Sequence, residues 1–333
     1  MKIKSKAHIA NLNADLLSKV EDLYEKGLSK GYYTGWHGLD DLITIKQGTT
    51  FYVYGSPFSG KTEWWFEVLI NLSCNYGLRH VIYSPETGSP QNIFGELISK
   101  LCRKPFFRNV EDSISKEDLY KNFNWLDEHF KIIEDPNGDM NLKEFFDIVD
   151  DYEDSFGKIH TTTIDPFNEL NNDLTSQRDL GLEKLLGHVR RDAIIKNRVN
   201  CIITHVTDQE LKQENGISFY PSPTPRQIAY GQAWYRKGMN MIGVWRPPFG
   251  LMDAEGRPFE KNEVHIDIQK FKPKGVGNRG KHIMFYDIKK NSYYEKPTTL
   301  HNDMNNKYSI RDKTMYSIKQ DTNIKINEDD LPF

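Results

Sequence analysis

The chain has 333 residues, of which 38% are hydrophobic and 27% are charged, and its formal net charge at pH 7 is −3. This composition is typical of a globular protein with one large domain or two small ones, and it excludes polyanion binding through bulk charge alone. No apolar run reaches the ~18 residues of a membrane helix, and the first residues lack the apolar core of a signal peptide. Cys74, Cys102 and Cys201 lack metal-ligand spacing, so reduced core thiols are expected.

Charge is distributed unevenly along the chain. Residues 127–154 hold eleven acids against two Lys, whereas residues 226–290 hold thirteen Lys and Arg against six acids. The basic C-terminal third is compatible with contact to nucleic acid.

A helical pattern stands near the N terminus, between Asn11 or Asn13 as a cap and Gly27 as a stop. Its apolar residues are Ile9, Leu12, Leu16, Val20, Leu23 and Tyr24. This spacing predicts a short amphipathic helix ahead of the main domain. The helix could pack on its own domain or dock on a neighbouring subunit, and the spacing leaves both possibilities open.

The stretch FYVYGSPFSGKT, residues 51–62, matches G-x-x-x-x-G-K-[ST] at every fixed position. The loop comprises Gly55, Ser56, Pro57, Phe58, Ser59, Gly60, Lys61 and Thr62. The two glycines permit a tight turn whose N–H groups converge on phosphate oxygens, Lys61 can reach the β- and γ-phosphates, and the Thr62 hydroxyl can ligate Mg²⁺. A predicted strand precedes the loop, and a predicted helix over 63–76 adds its N-terminal dipole. The stretch therefore predicts binding of a nucleoside triphosphate.

Strand and helix patterns alternate after this loop. Strands are predicted over 79–84, 130–133, 159–164 and 199–204, and helices over 92–102, 116–129, 142–151 and 180–196. This alternation predicts an α/β fold, a mostly parallel sheet with helices on both faces. Three strand patterns without intervening helices, at 239–245, 264–269 and 283–287, predict antiparallel additions to one edge of the sheet. The polar tail from residue 296 is predicted to be disordered.

Polar residues follow three of the predicted strands. Asp165, in IDPFN, is a candidate Mg²⁺ ligand, although it could simply shape the turn before Pro166. Glu86, in SPE, is well placed to polarise a water, because the carboxyl ends of parallel strands converge on the ligand. His205 could sense the γ-phosphate and pass its presence to the following loop, or it could be an ordinary turn histidine.

The segment 206–229 is long, and Pro221, Pro223 and Pro225 argue against a regular helix in it. Long loops within compact domains are often functional. Three of its side chains could reach a phosphate backbone: Gln209, Lys212 and Arg226.

The order of TGWHGLDDL…QG, the phosphate loop, SPE, IDPFN, CIITH and a basic strand pair resembles the replicative helicases of superfamily 4 over residues 34–294. These are the DnaB-like helicases, and His205 favours the Twinkle and phage primase-helicase branch, since DnaB proper tends to have Gln there. The resemblance implies a RecA-like P-loop ATPase core that uses ATP and Mg²⁺. It also implies a homo-hexameric ring around single-stranded DNA.

The same resemblance divides the chain into three parts. Residues 1–30 would hold a linker helix that packs on the adjacent subunit, 31–295 the ATPase domain, and 296–333 the tail. The first thirty residues are too few for a primase, so a motor without that domain is expected.

Each site in this family is completed by a basic residue from the neighbouring subunit, within K-x-R-x-x-G. The matching stretch here is KFKPKG, residues 270–275, so Lys272 occupies the arginine-finger position. Lys lacks the planar fork of Arg, and transition-state stabilisation could therefore be weaker or arranged differently. Lys270 could share the role, or Arg279 could substitute for it.

The last residues, NEDDLPF, resemble the acidic tip of bacterial single-stranded-DNA-binding proteins, which implies recruitment of replication partners. An ordinary acidic tail is the alternative. Three functions are compatible with the sequence: an ATP-driven DNA helicase, a RecA/RadA-like recombination ATPase, and an ATP-gated DNA clamp or loader that hardly hydrolyses. We expect a cytoplasmic location, in a bacterium or a phage-infected host.

Overall fold

The computed structural model describes residues 10–172, 178–272 and 277–296. A nine-stranded sheet forms the centre of this structure. In chain order its strands are β1 Thr50–Gly55, β2 His80–Tyr83, β3 Phe130–Ile132, β4 Thr161–Ile164, β5 Val199–His205, β8 Asn240–Trp245, β9 Glu263–Lys270, β10 Gly280–Asp287 and β11 Ser292–Tyr294. Two further strands, β6 Lys212–Glu214 and β7 Ile217–Phe219, form a separate hairpin between β5 and β8. Across the sheet the order is β11-β10-β9-β8-β1-β5-β4-β2-β3.

Helices cover both faces of the sheet, as the alternating pattern predicts. They are α1 Ala14–Lys26, α2 His37–Asp40, α3 Lys61–Tyr76, α4 Pro90–Cys102, α5 Lys116–His129, α6 Leu142–Phe156, α7 Arg178–Lys196 and α8 Gly231–Lys237. Phe51 and Val53 of β1 belong to the core shared with α3 and α4, whereas Tyr52 and Tyr54 belong to the core shared with α6 and α7. Successive strand residues point to opposite faces, so a strand covered on both sides is buried throughout.

The prediction for residues 239–245 is wrong in one respect. This segment forms β8, which runs parallel to β1, with Phe51 opposite Asn240. The short helix α8 carries the chain back across the sheet, so that β8 starts at the same edge as β1. Only the strands beyond it, β9, β10 and β11, form the antiparallel extension that the sequence predicts.

The segment 206–229 contains more regular structure than its prolines suggest. Strands β6 and β7 pair as a hairpin around Asn215 and Gly216, whose φ angles are 50° and 77°. An Asn-Gly pair with positive φ at both residues is the preferred turn of a two-residue hairpin. Val206 bridges Ile228, which closes the segment at its base.

Helix α1 begins at Ala14, where the Asn13 side chain accepts a hydrogen bond from the Leu16 N–H, and it ends at Gly27. None of its residues is buried, and Leu12 just before it is 95% exposed. Its apolar stripe therefore does not pack on its own domain in this structure. The predicted residue Ile9, part of KFKPKG (273–275) and the NEDDLPF tip lie outside the described residues.

All three cysteines are free thiols, as predicted, with Cys74 and Cys201 buried and Cys102 half-buried. Among the helices of the described ranges, none combines the length and the apolar character that crossing a membrane requires.

Candidate nucleotide site

The phosphate loop joins β1 to α3 in a conformation that requires its glycines. Phe58 and Gly60 have φ angles of 58° and 91°. A Cβ on Gly55 would lie 2.4 Å from the Val244 carbonyl oxygen, and one on Gly60 would lie 2.5 Å from the Tyr293 hydroxyl. The backbone can therefore curl around the N terminus of α3, where N–H groups and the helix dipole favour an anion.

Lys61 lies inside this loop and is only 5% exposed. Its Nζ donates hydrogen bonds to the carbonyl oxygens of Gly55 (3.3 Å) and Ser56 (2.9 Å), and it lies 3.3 Å from His205 Nδ1. Burial lowers the pKa of Lys61 to about 8, although the nearby Asp165 carboxylate acts in the opposite direction. The ammonium is thus held by neutral carbonyl acceptors, which phosphate oxygens can replace because they form stronger, charge-assisted hydrogen bonds.

Asp165 follows β4 and reaches the phosphate loop. Its Oδ2 accepts hydrogen bonds from Thr62 Oγ1 at 2.7 Å and from Ser84 Oγ at 3.1 Å. The carboxylate is only 2% exposed, and burial raises its pKa against the effect of these hydrogen bonds. A hydroxyl and a carboxylate are hard oxygen donors of the kind that Mg²⁺ takes together with water and phosphate. Thr62 and Asp165 therefore fit the Mg²⁺ that the sequence predicts.

Glu86 and His205 meet at the same edge of the sheet. His205 Nε2 lies 3.1 Å from Glu86 Oε2, while its Nδ1 faces Lys61. Since β5, β4 and β2 are adjacent parallel strands, the residues that follow them converge beside the loop after β1. The Glu86 side chain is 56% exposed, so a water can reach its carboxylate.

Two residues near the phosphate loop are not predicted from the sequence. Arg246 directly follows β8, and its guanidinium lies over the ring of Tyr286, 5.6 Å from the centroid, beside Gly60. The Tyr293 hydroxyl donates a hydrogen bond to the Gly60 carbonyl oxygen at 3.1 Å. Arg246 follows a parallel strand just as Asp165 does, so recognising β8 as parallel would have identified it. The Tyr293 contact has no local signal in the sequence.

The predicted finger residues are not near the phosphate loop of their own chain. Lys270 pairs with Met241 at the start of β8, and the Lys272 N–H donates to Asn240 Oδ1 at 3.1 Å. Because β8 and β1 are parallel, this is the edge of the sheet opposite the phosphate loop.

Two basic residues at this edge, Lys270 and Arg279, contact Tyr235. The Lys270 ammonium donates to the Tyr235 carbonyl oxygen and lies 4.6 Å from the ring centroid. The Tyr235 hydroxyl accepts from Arg279 Nη2 at 3.2 Å. Burial lowers the pKa of Lys270 to about 8, and Lys272 and other neighbouring cations contribute in the same direction.

Comparison with known proteins finds a curated relative and many solved structures of similar fold. No protein-family model matches the chain. The relative is the "Twinkle homolog protein, chloroplastic/mitochondrial" of Arabidopsis thaliana, 26% identical over 300 residues, a span that covers 86% of this chain and 40% of the plant protein.

The solved structures include an ATPase domain, with a TM-score of 0.67, and a DnaB-like replicative helicase described with its interactions with primase, with a TM-score of 0.66. The match to the ATPase domain covers 86% of this chain and all of that structure, and the match to the replicative helicase covers 88% of this chain and 69% of that structure. Both are 14% identical to this chain, and they establish the α/β fold with its mostly parallel sheet. The chain therefore has the α/β fold of these ATPase-domain structures, and its similarity to the plant relative agrees with the resemblance to DnaB-like and Twinkle-like helicases seen in the sequence.

Proposed function

We propose that this chain is an ATP-dependent replicative DNA helicase, which translocates on single-stranded DNA as a ring and unwinds duplex DNA. The observation that carries the proposal is the convergence of Lys61, Glu86, Asp165 and His205 on one phosphate loop. The similarity to the plant Twinkle homolog and to the solved structure of a DnaB-like replicative helicase supports the helicase class.

The hydrolytic roles follow from the positions of the side chains. Lys61 exchanges its carbonyl acceptors for phosphate oxygens, and Thr62 and Asp165 would hold Mg²⁺, which neutralises charge on the phosphates when bound. Glu86 orients the attacking water, because it is the exposed carboxylate of the group. His205 touches both Lys61 and Glu86, so it is placed to report a change at either one.

A ring would complete the site from a second copy. Lys270, Lys272 and Arg279 lie at the edge opposite their own phosphate loop, so only another subunit's nucleotide is available to them. The exposed apolar stripe of α1 supports a role as a linker helix that docks on the adjacent subunit. In this arrangement a Lys takes the place of an arginine finger and stabilises charge as a point cation.

Contact with DNA is assigned to the hairpin segment, residues 206–229. Lys212 and Arg226 are exposed on it, and the segment leaves the sheet directly after His205. Backbone contacts of this kind bind without sequence preference and weaken with salt.

ATP turnover with and without single-stranded DNA tests the proposal on three proteins: wild type, Lys61→Ala, and Lys289→Ala as an exposed control. We expect DNA to stimulate wild type and the control alike, and Lys61→Ala to lose turnover. Turnover that survives in Lys61→Ala would contradict the assignment of the site.

The clamp or loader is the second candidate, because Lys occupies the finger position. It predicts DNA binding that requires ATP, with no stimulation of turnover. The recombination ATPase predicts open filaments instead of closed rings in electron micrographs.

A further inference from the structure

The phosphate loop is tied directly to the hairpin segment by one glutamine. Ser56 Oγ donates a hydrogen bond to Gln209 Oε1 at 2.6 Å. Gln209 Nε2 in turn donates to the Pro221 carbonyl oxygen at 2.9 Å. Both ends of the half-buried amide are therefore engaged, and this side chain is not directed at a DNA phosphate as the sequence suggests.

Gln209 and Pro221 flank the hairpin of β6 and β7, whose strands lie between them in the chain. The neighbouring Tyr220 carbonyl oxygen accepts a hydrogen bond from Trp245 Nε1 at 2.8 Å. The base of the hairpin is thus held from two sides, by the sheet through Trp245 and by the phosphate loop through Gln209. A movement of Ser56 would therefore act on the attachment through Gln209 and not on the one through Trp245.

Ser56 is also one of the groups that hold Lys61 within the loop, through its carbonyl oxygen at 2.9 Å. A bound phosphate competes for the Lys61 ammonium and so removes that restraint from Ser56. The hydroxyl of the same residue holds Gln209, so rearrangement of the loop backbone reaches the hairpin without passing through His205.

We propose that Gln209 is a positioning residue that couples nucleotide occupancy of the phosphate loop to the position of the hairpin. This inference rests on the proposed function only in that the loop binds nucleotide. The link through Gln209 is separate from the contacts of His205 with Lys61 and Glu86.

Amide hydrogen exchange of residues 211–220 tests the coupling with a non-hydrolysable ATP analogue and Mg²⁺. The proteins are wild type, Gln209→Leu, and Gln232→Leu as a matched control, since Gln232 is exposed on α8 outside the measured segment. We expect the analogue to change exchange in wild type and control and to leave it unchanged in Gln209→Leu. An equal change in all three proteins, or no change in wild type, overturns the inference.

Two further variants separate coupling from a merely structural role. Gln209→Glu keeps an acceptor for Ser56 but places a carboxylate oxygen against the Pro221 carbonyl, so it should uncouple the hairpin as Gln209→Leu does. Ser56→Ala removes the other end of the link. Combined with Gln209→Leu, it should add no further loss, because both changes break the same connection. Additive losses would contradict a shared link.

In the turnover assay, Gln209→Leu, Gln209→Glu and Ser56→Ala should each lower the ratio of the DNA-stimulated rate to the unstimulated rate about fivefold. This factor corresponds to the loss of one hydrogen bond of ordinary strength. An unchanged ratio in Gln209→Leu counts against the link. If wild type shows no DNA stimulation at all, the helicase proposal fails, and the exchange experiment still decides whether Gln209 couples nucleotide to hairpin.

Discussion

Binding of Mg-ADP should weaken about eightfold between pH 7.5 and pH 9.0. The cause is Lys61, whose pKa is lowered to about 8 by burial. Lys61 is charged in about three-quarters of the molecules at pH 7.5 and in about one-tenth of them at pH 9.0, and only the charged form attracts phosphate. With its ordinary pKa near 10.5, Lys61 would stay charged and affinity would change by only a few per cent.

Unfolding does not account for this loss. A Lys with a lowered folded pKa binds fewer protons than in the unfolded chain between about pH 8 and 10.5, so its contribution to stability rises with pH in that window. Isothermal titration calorimetry in buffers of different ionisation enthalpy would measure both the affinity and the proton taken up on binding.

Two variants control the assignment. Lys61→Arg keeps its charge throughout and should bind with a flat pH profile. Lys270 has a similarly lowered pKa but lies at the opposite edge of the sheet, and ADP offers it no γ-phosphate. Lys270→Met should therefore keep the wild-type profile. A flat pH profile in wild type, or a pH dependence that is lost in Lys270→Met, would show that Lys61 does not cause the effect.

Three other predictions concern single side chains. Glu86→Gln should lower ATP turnover at least ~100-fold by removing the group that orients water, with Mg-ADP affinity kept within about threefold. A smaller loss of turnover would assign the base elsewhere. Tyr293→Phe removes the hydrogen bond to the Gly60 carbonyl and should raise the Kd for Mg-ADP about fivefold by calorimetry, whereas an unchanged Kd would mean that the loop holds its shape unaided. Buried Glu263 binds Arg257 through both carboxylate oxygens, so Glu263→Gln should lower the free energy of unfolding in urea by about 2 kcal/mol, less than for a fully buried pair because Arg257 is 38% exposed. The same contacts lower the pKa of Glu263 to about 2, so wild type should lose this stability as pH falls from about 4.5 towards 2. Equal urea midpoints for wild type and Glu263→Gln at pH 7 would contradict a stabilising ion pair.

The sequence was informative wherever the signal is local. The phosphate loop is one continuous stretch, and Glu86, Asp165 and His205 each follow a strand that the residue pattern predicts. The parallel pairing of those strands then brings the residues together without further information. The structure and the similar solved structures confirm the mostly parallel sheet, while the chemical roles of these residues stay predictions.

What the sequence did not reveal depends on distant pairing. Strand β8 has the same residue pattern whether it runs parallel or antiparallel, and the seven residues of α8 are too few for a helical period to stand out. Tyr293 contacts Gly60 from 233 residues away, so no spacing rule connects them. The sequence suggests that Gln209 contacts DNA and gives no sign of its hydrogen bonds to Ser56 and Pro221. Those two residues come close to Gln209 only when the hairpin segment folds back on the sheet.

The proposed helicase function requires a nucleotide site shared between two copies of the chain, and a titration of subunits tests for such a site. Wild-type protein would be mixed with increasing fractions of a Lys270→Ala, Lys272→Ala double variant, and ATP turnover with single-stranded DNA measured at constant total protein. A shared site predicts that turnover falls faster than the wild-type fraction, because each variant subunit also disables a wild-type neighbour. Turnover that falls in direct proportion to the wild-type fraction would mean that each subunit hydrolyses ATP without a contribution from its neighbour, which contradicts a shared site.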